Sequence, residues 1–309
     1  MGDTRAEVGV GGETKTFAEA MSGAQRPTGL ILGTVVAVVA ILSISLVYPL
    51  VALVLPVEVL AEGGIVVTSV CFLSIWVVLW LWLRLKERRP FATIGFTAGS
   101  RAPFLLARGA AVGLAAMALV VAVGLVTGNL VFFAFDDGTI FDPAAIGWVA
   151  LGLAAFAVQG GAEELVSRGF LVQVWYRRTG IVGAVIASTV FFTVIHGANS
   201  GFGVLPALSL VFVALLLVFW ALAEGGLFGV LAFHAVWNWA QGSFFGIAVS
   251  GNPSPNSLFV VGESDGANPL VTGGAFGIEG SVTTVVLLAI LAGLAALWYM
   301  RTRRGHAHA

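Results

Sequence analysis

Eight apolar runs divide this chain, at about residues 29–55, 64–84, 103–127, 144–172, 180–198, 204–223, 226–248 and 281–300. Most are near the length of about 20 apolar residues that an α-helix needs to cross the hydrocarbon of a bilayer. Lipid offers the backbone no hydrogen-bond partners, so runs of this kind must satisfy their own polar groups as helices. The sequence therefore predicts an all-α, polytopic membrane protein of eight transmembrane helices. Composition agrees, since only 10% of the residues are charged, against about 25% in a soluble domain. Three segments follow: a flexible, polar tail over 1–27, a helical domain over 28–300, and a short tail over 301–309. The first run is too long for a signal-peptide core and has no small-residue cleavage site behind it, so it is expected to remain as a membrane helix.

Basic residues fix an orientation. Of the 15 Lys and Arg, all but Arg168 fall beside alternate loops: Arg5, Lys15 and Arg26 before the first run, Arg84 to Arg108 around the second loop, Arg177 and Arg178 after the fourth run, and Arg301, Arg303 and Arg304 after the last. The opposite loops hold Glu58, Glu62, Asp136, Asp137, Asp142, Glu263, Asp265 and Glu279, and no Lys or Arg. By the positive-inside rule both termini are cytoplasmic, in the cell membrane. The net charge of −1 says nothing about nucleic acid, but no basic patch with interleaved aromatics appears, so no nucleic-acid partner is expected. A single cysteine, Cys71, allows no intrachain disulfide and no cysteine metal cluster, and is expected to pack. His306 and His308 belong to the tail. The pairs Gly29/Gly33, Gly109/Gly113 and Gly225/Gly229 offer close helix approach. The Gly-, Asn- and Pro-rich stretch 249–280 reads as a connector that also offers substrate or partner contact.

Against this apolar background three polar clusters stand out: Glu163-Glu164 with Arg168, His196, and His234 with Asn238. A charged side chain near the bilayer centre costs about 2.5–3.5 kcal/mol on insertion scales, so such residues mark function by default. Glu164 and Arg168 stand one turn apart and share a helix face, which suits a structural ion pair. Glu163 points about 100° away and has no partner built into its helix, which suits a general base or acid. His234 and Asn238 are again one turn apart and can donate toward a developing oxyanion. With His196 these groups supply what hydrolysis of an acyl bond needs. Ser167 beside the cluster is expected to bond its own backbone. Zinc held by Glu163, His196 and His234 stays open, although the helix-borne H-E-x-x-H signature is absent. Otherwise no cofactor is expected. A non-catalytic scaffold or immunity protein, and a proton-coupled transporter, also stay open.

The same residues resemble the three motifs of the CAAX-protease and bacteriocin-processing (Abi) family of intramembrane proteases, whose eukaryotic members are the Ras-converting CAAX endopeptidases. E-E-x-x-x-R appears as Glu163-Glu164-Leu165-Val166-Ser167-Arg168, F-x-x-x-H as Phe192 to His196, and H-x-x-x-N as His234 to Asn238. The resemblance covers about residues 145–248. It implies an endopeptidase acting on a peptide or protein at the bilayer, with the site among helices four, five and seven. It further implies that Glu163 and His196 activate water, that His234 and Asn238 bind the oxyanion, and that Glu164 and Arg168 support them. The family was once read as metalloproteases and is now more often read as glutamate proteases, and the resemblance therefore implies the glutamate type ahead of a metalloprotease. One tension remains. With the bounds above, Glu163 stands about 28 Å from the outer end of helix four and His196 about 24 Å from the cytoplasmic end of helix five. Straight helices then leave them at different depths, and Gly160-Gly161 offers a place for helix four to bend.

Overall fold

The computed structural model describes residues 16–133, 143–254 and 256–307. The connector at Asp136 to Asp142, the first 15 residues and His308 lie outside this set, and so does the side chain of His306. The described chain is predominantly helical, with almost no sheet. Helices α1 (Leu30–Val54), α2 (Val57–Leu81) and α3 (Ala102–Val126) lead into α4 (Pro143–Glu164), a π-helical turn (Leu165–Leu171) and α5 (Val172–Ile195). Helices α6 (Val204–Glu224) and α7 (Phe228–Trp239) follow, then the short α8 (Pro269–Thr272) and the long α9 (Val282–Ala307). The strands β1 (Leu130–Phe132) and β2 (Val261–Glu263) pair antiparallel, with Val131 opposite Gly262.

Six of these helical stretches are long and apolar enough to cross a membrane. The count differs from eight for two reasons. The fourth and fifth apolar runs lie in one helical stretch, Ile146–Ile195, and the seventh is only 12 α-helical residues extended by a π turn, Ala240–Phe244. Exposed side chains along α1, α2 and α9 are mostly Leu, Ile and Val, the surface expected against lipid.

The long stretch is not straight. Gly180 has φ 68° and ψ −164°, a conformation open to glycine and strained for other residues. A straight helix would separate Glu163 from His196 by about 50 Å, yet their side chains approach to 3.7 Å. Arg168 likewise stacks on Phe192 at 4.1 Å. Both pairs are centred on Gly180, so the chain reverses there and returns antiparallel. This removes the depth problem. Helix four does not stop near 172 but runs on to the reversal, which leaves Glu163 and His196 each about 25 Å of helix from Gly180. Gln173 already bonds Phe17 and Thr93 near the basic end of the bundle, so the last turns before Gly180 project beyond that level. Hydropathy marked where the helix leaves the apolar layer rather than where it ends.

No break occurs at Gly160-Gly161, contrary to the bend anticipated there, because both glycines serve close packing. A Cβ on Gly160 would stand 3.2 Å from the His234 ring, and one on Gly161 would stand 2.7 Å from Trp76. Gly113 of α3 similarly admits the backbone of α7, where a Cβ would meet the Phe233 carbonyl at 2.6 Å. Gly109 lies against Gly229 of α7 in the same way. That contact seats the helix carrying His234 and Asn238. Gly225 is instead the left-handed cap that ends α6 (φ 79°), and Gly29 faces open space. Those two members of the expected small-residue pairs make no helix contact.

At the basic end a second buried network ties loops to helices. Arg89 donates to Glu87 (2.6 Å), Thr93 (2.9 Å) and Gln173 (2.8 Å), and Thr28 bonds the other oxygen of Glu87. The described part of the tail joins it: Phe17–Gly23 forms a 3₁₀ segment with Met21 fully buried.

Candidate functional site

Four helical pairs spaced i, i+4 build the site. Gln159 and Glu163 lie on one face of α4, and Glu164 and Arg168 lie where α4 passes into the π turn. Phe192 and His196 close α5, and His234 and Asn238 share a face of α7. Single π-helical turns occur often at functional sites, since the extra residue re-aims side chains without ending the helix.

Glu164 is the hub of the supporting side. Its Oε1 accepts from Arg168 Nη1 at 2.9 Å and from His234 Nδ1 at 2.8 Å, and both Glu164 and Arg168 are fully buried. The ion pair expected within the helix is present, and it reaches across to α7 as well. Phe192 is the aromatic centre, with Arg168 over its face, His196 at 4.6 Å and His234 edge-on at 6.0 Å between ring centres.

Both histidines have one nitrogen fixed. A carbonyl can only accept, so His196 Nδ1 donates to Phe192 O at 2.8 Å, leaving Nε2 as the lone-pair nitrogen of the neutral ring. His234 Nδ1 is held by Glu164, which leaves its Nε2 facing the cavity. Both Nε2 atoms look toward one oxygen: Glu163 Oε2 lies 3.7 Å from His196 and 3.8 Å from His234. That oxygen is buried without a hydrogen-bond partner. The spacing is too long for direct hydrogen bonds and suits a water bridging between them.

The other Glu163 oxygen is occupied. Gln159 Nε2 donates to Oε1 at 2.5 Å, and Asn238 Nδ2 donates to Gln159 Oε1 at 3.1 Å. Asn238, anticipated as an oxyanion donor, thus spends one amide hydrogen on Gln159. Its second remains for the cavity. Gln159 was missed from the sequence, although a lone amide one turn before Glu163 in an apolar helix was a usable signal.

These groups line a cavity of about 490 Å³. Ile41 and Ile44 of α1, with Ile65 and Phe72 of α2, supply an apolar wall. The stretch 249–280 supplies another, through Val249, Ser250, Asn252 and Glu279. It is more than a connector. Glu279 accepts from Trp237 Nε1 (3.1 Å), Ser250 N (2.7 Å) and Ser250 Oγ (2.8 Å), which ties the loop to α7. No sequence periodicity flags a residue placed by loop geometry.

The residues not used here are accounted for by packing. Cys71 is buried in the core. Ser167 is buried, but its Oγ has no hydrogen-bond partner where a bond to its own backbone was expected. It lies within the π turn, whose altered ladder shifts the carbonyl that such a bond requires.

Residues 145–240 match the family model described as type II CAAX prenyl endopeptidase, Rce1-like. Over this segment the chain is similar to an Rce1-like domain. The segment contains α4 almost entire, α5, α6 and α7, and with them Glu163, Glu164, Arg168, His196, His234 and Asn238. Six membrane-length helices, together with this family match, mark the chain as an integral membrane protein. The loop with Ser250 and Glu279 lies outside this segment, as do α1 to α3 and α9. No curated protein and no solved structure matches the chain.

Proposed function

We propose that the chain is an endopeptidase that hydrolyses a peptide bond with a water activated by Glu163 and His196. The observation that carries this reading is the unpartnered Glu163 Oε2 set one water's width from two imidazole Nε2 atoms. Water bound there gives one proton to Glu163 while its second O–H points to His196 Nε2. Its oxygen attacks the scissile carbonyl carbon, and the carbonyl oxygen becomes the oxyanion. The second amide hydrogen of Asn238 donates to that oxygen. His234 joins it from Nε2 when protonated, because Nδ1–H is already given to Glu164. The proton held on Glu163 then passes to the leaving nitrogen as the C–N bond breaks. Glu164 and Arg168 position His234 and the π turn.

The apolar wall from α1 and α2 supports a substrate with an apolar or lipidated segment beside the cleaved bond, in keeping with the prenyl substrates in the family's name. Both termini are assigned to the cytoplasmic side of the cell membrane, since the loops rich in Lys and Arg meet at one end of the bundle. The test is cleavage of a quenched reporter peptide by the purified protein in liposomes. Cleavage without ion flux supports the enzyme. Flux that depends on Glu163 with no cleavage would establish a transporter instead, and neither activity would leave a scaffold.

Zinc is the rival chemistry. Among the described residues no three His, Cys, Asp or Glu side chains form a group able to hold a metal, and no step above passes through one. Cleavage is expected to persist within about twofold after dialysis against a chelator, and loss restored by zinc would overturn the metal-free mechanism.

Gln159 gives a further expectation. Gln159→Ala and Asn238→Ala should each lower kcat by about tenfold to a hundredfold, since misplacing a reacting group by an ångström has costs of that order. If Asn238 acts largely through Gln159, the double variant falls well short of the product of the two losses. Full additivity in this cycle would confine Asn238 to the oxyanion side.

A further inference from the structure

Among the described residues two helical hydroxyls line the cavity, Thr68 of α2 and Ser209 of α6. A hydroxyl in an apolar helix ordinarily turns back onto a carbonyl of its own backbone. Thr68 does so, donating to Gly64 O at 2.7 Å, as do Thr34 on α1 and Thr193 on α5. Ser209 is only 3% exposed, yet among the described residues its Oγ has no hydrogen-bond partner. Nor is it shut in. The unpartnered hydroxyls of Ser167, Ser188 and Thr189 are sealed in protein, whereas Ser209 Oγ opens onto the cavity. The walls around it are apolar. Phe192, Leu210 and Phe276 form one packed cluster with Val213 against it, and Leu288 of α9 lines the same space. Phe192 stands 4.6 Å from His196 between ring centres, so this wing of the cavity adjoins the reacting groups. It differs chemically from the wing built by α1 and α2, where Thr68 has already spent its proton.

A side chain that enters the wing between α6 and α9 expels water from Ser209 Oγ. If that side chain is apolar, the hydroxyl is left buried with nothing to bond, and an unmade bond costs more than a formed one gains. A charged side chain fares worse, since Leu, Val and Phe walls give a charge nothing to pair with. A neutral group that donates or accepts a hydrogen bond answers a serine hydroxyl, which can do both. We propose that the α6–α9 wing is a subsite for a neutral substrate side chain ending in a hydroxyl or an amide, and that Ser209 is the residue that selects it. This rests on the endopeptidase reading above and names the side-chain class that the same site takes beside the cleaved bond.

The experiment uses the full chain in liposomes and quenched reporter peptides that differ in one residue, Thr or its near-isostere Val. The exchange is made at each of the three positions on either side of the scissile bond, and so is a second exchange of Asn for Leu. Each peptide is made with a prenylated and with an unmodified cysteine beside that bond. At one position kcat/KM should favour Thr over Val, and Asn over Leu, by about tenfold, the order of one unmade hydrogen bond. Ser209→Ala should bring both ratios to within about twofold, chiefly by raising cleavage of the Val and Leu peptides about fivefold above the wild-type rate. That rise is a gain that misfolding cannot produce. If the wild-type protein cleaves the Thr and Val peptides alike at every position, or Ser209→Ala fails to raise cleavage of the Val peptide, the subsite is wrong and the protease stands. If the wild-type protein cleaves none of the peptides, the endopeptidase reading itself fails.

Discussion

Glu163→Gln is expected to lower kcat by about 10²- to 10⁴-fold, the range in which general-base catalysis contributes, with little effect on KM. The substitution keeps the shape and the acceptor oxygen that Gln159 bonds at 2.5 Å. It removes the carboxylate placed to take a proton from water between His196 and His234. Stability should hold or rise, because a buried carboxylate with an unsatisfied oxygen is replaced by a neutral amide, and burying charge is costly. The combination separates chemistry from folding: catalysis lost, melting temperature at or above that of the wild-type protein. His196→Ala should cost a similar factor. Cleavage by Glu163→Gln at more than about a third of the wild-type rate would rule out Glu163 as the base.

How much of this could be read from the chain depended on sequence distance. The pairs Glu164–Arg168, Phe192–His196 and His234–Asn238 were legible because 3.6 residues per turn fixes what lies one turn away. Glu164–His234 spans 70 residues and has no local signature, so the sequence suggested a paired glutamate but not that it also orients the histidine. Gln159 was overlooked because an amide in an apolar helix costs less than a charge and draws less notice. The end of helix four was misplaced for a definable reason. Arg177 and Arg178 signal departure from lipid, whereas only the backbone conformation of Gly180 turns the chain. Gly160 and Gly161 were given flexibility when their use is proximity, to the His234 ring and to Trp76. Glu279 comes from a stretch without periodicity and is held by Ser250 and Trp237, contacts that only the folded loop creates.

Removing Arg168 should be the most destabilising single change in the site. The guanidinium is fully buried, bonds Glu164 at 2.9 Å and lies 4.1 Å over the Phe192 ring. Arg168→Met keeps the length and apolar volume but strands the Glu164 carboxylate with His234 as its one remaining partner. Breaking a buried ion pair from one side costs about 3–5 kcal/mol, because an uncompensated charge stays behind. Removing both charges is far milder, so Arg168→Met combined with Glu164→Gln should recover most of the loss in unfolding assays in detergent. Activity should not recover with it, because His234 Nδ1 would then donate to a neutral amide and lose the carboxylate that stabilises its charged form. Arg168→Lys keeps a charge but gives up the planar stacking on Phe192, and should fall between. If Arg168→Met unfolds at the wild-type midpoint, Glu164 is not ionised in the folded protein, and the supporting role assigned to the pair would have to be abandoned.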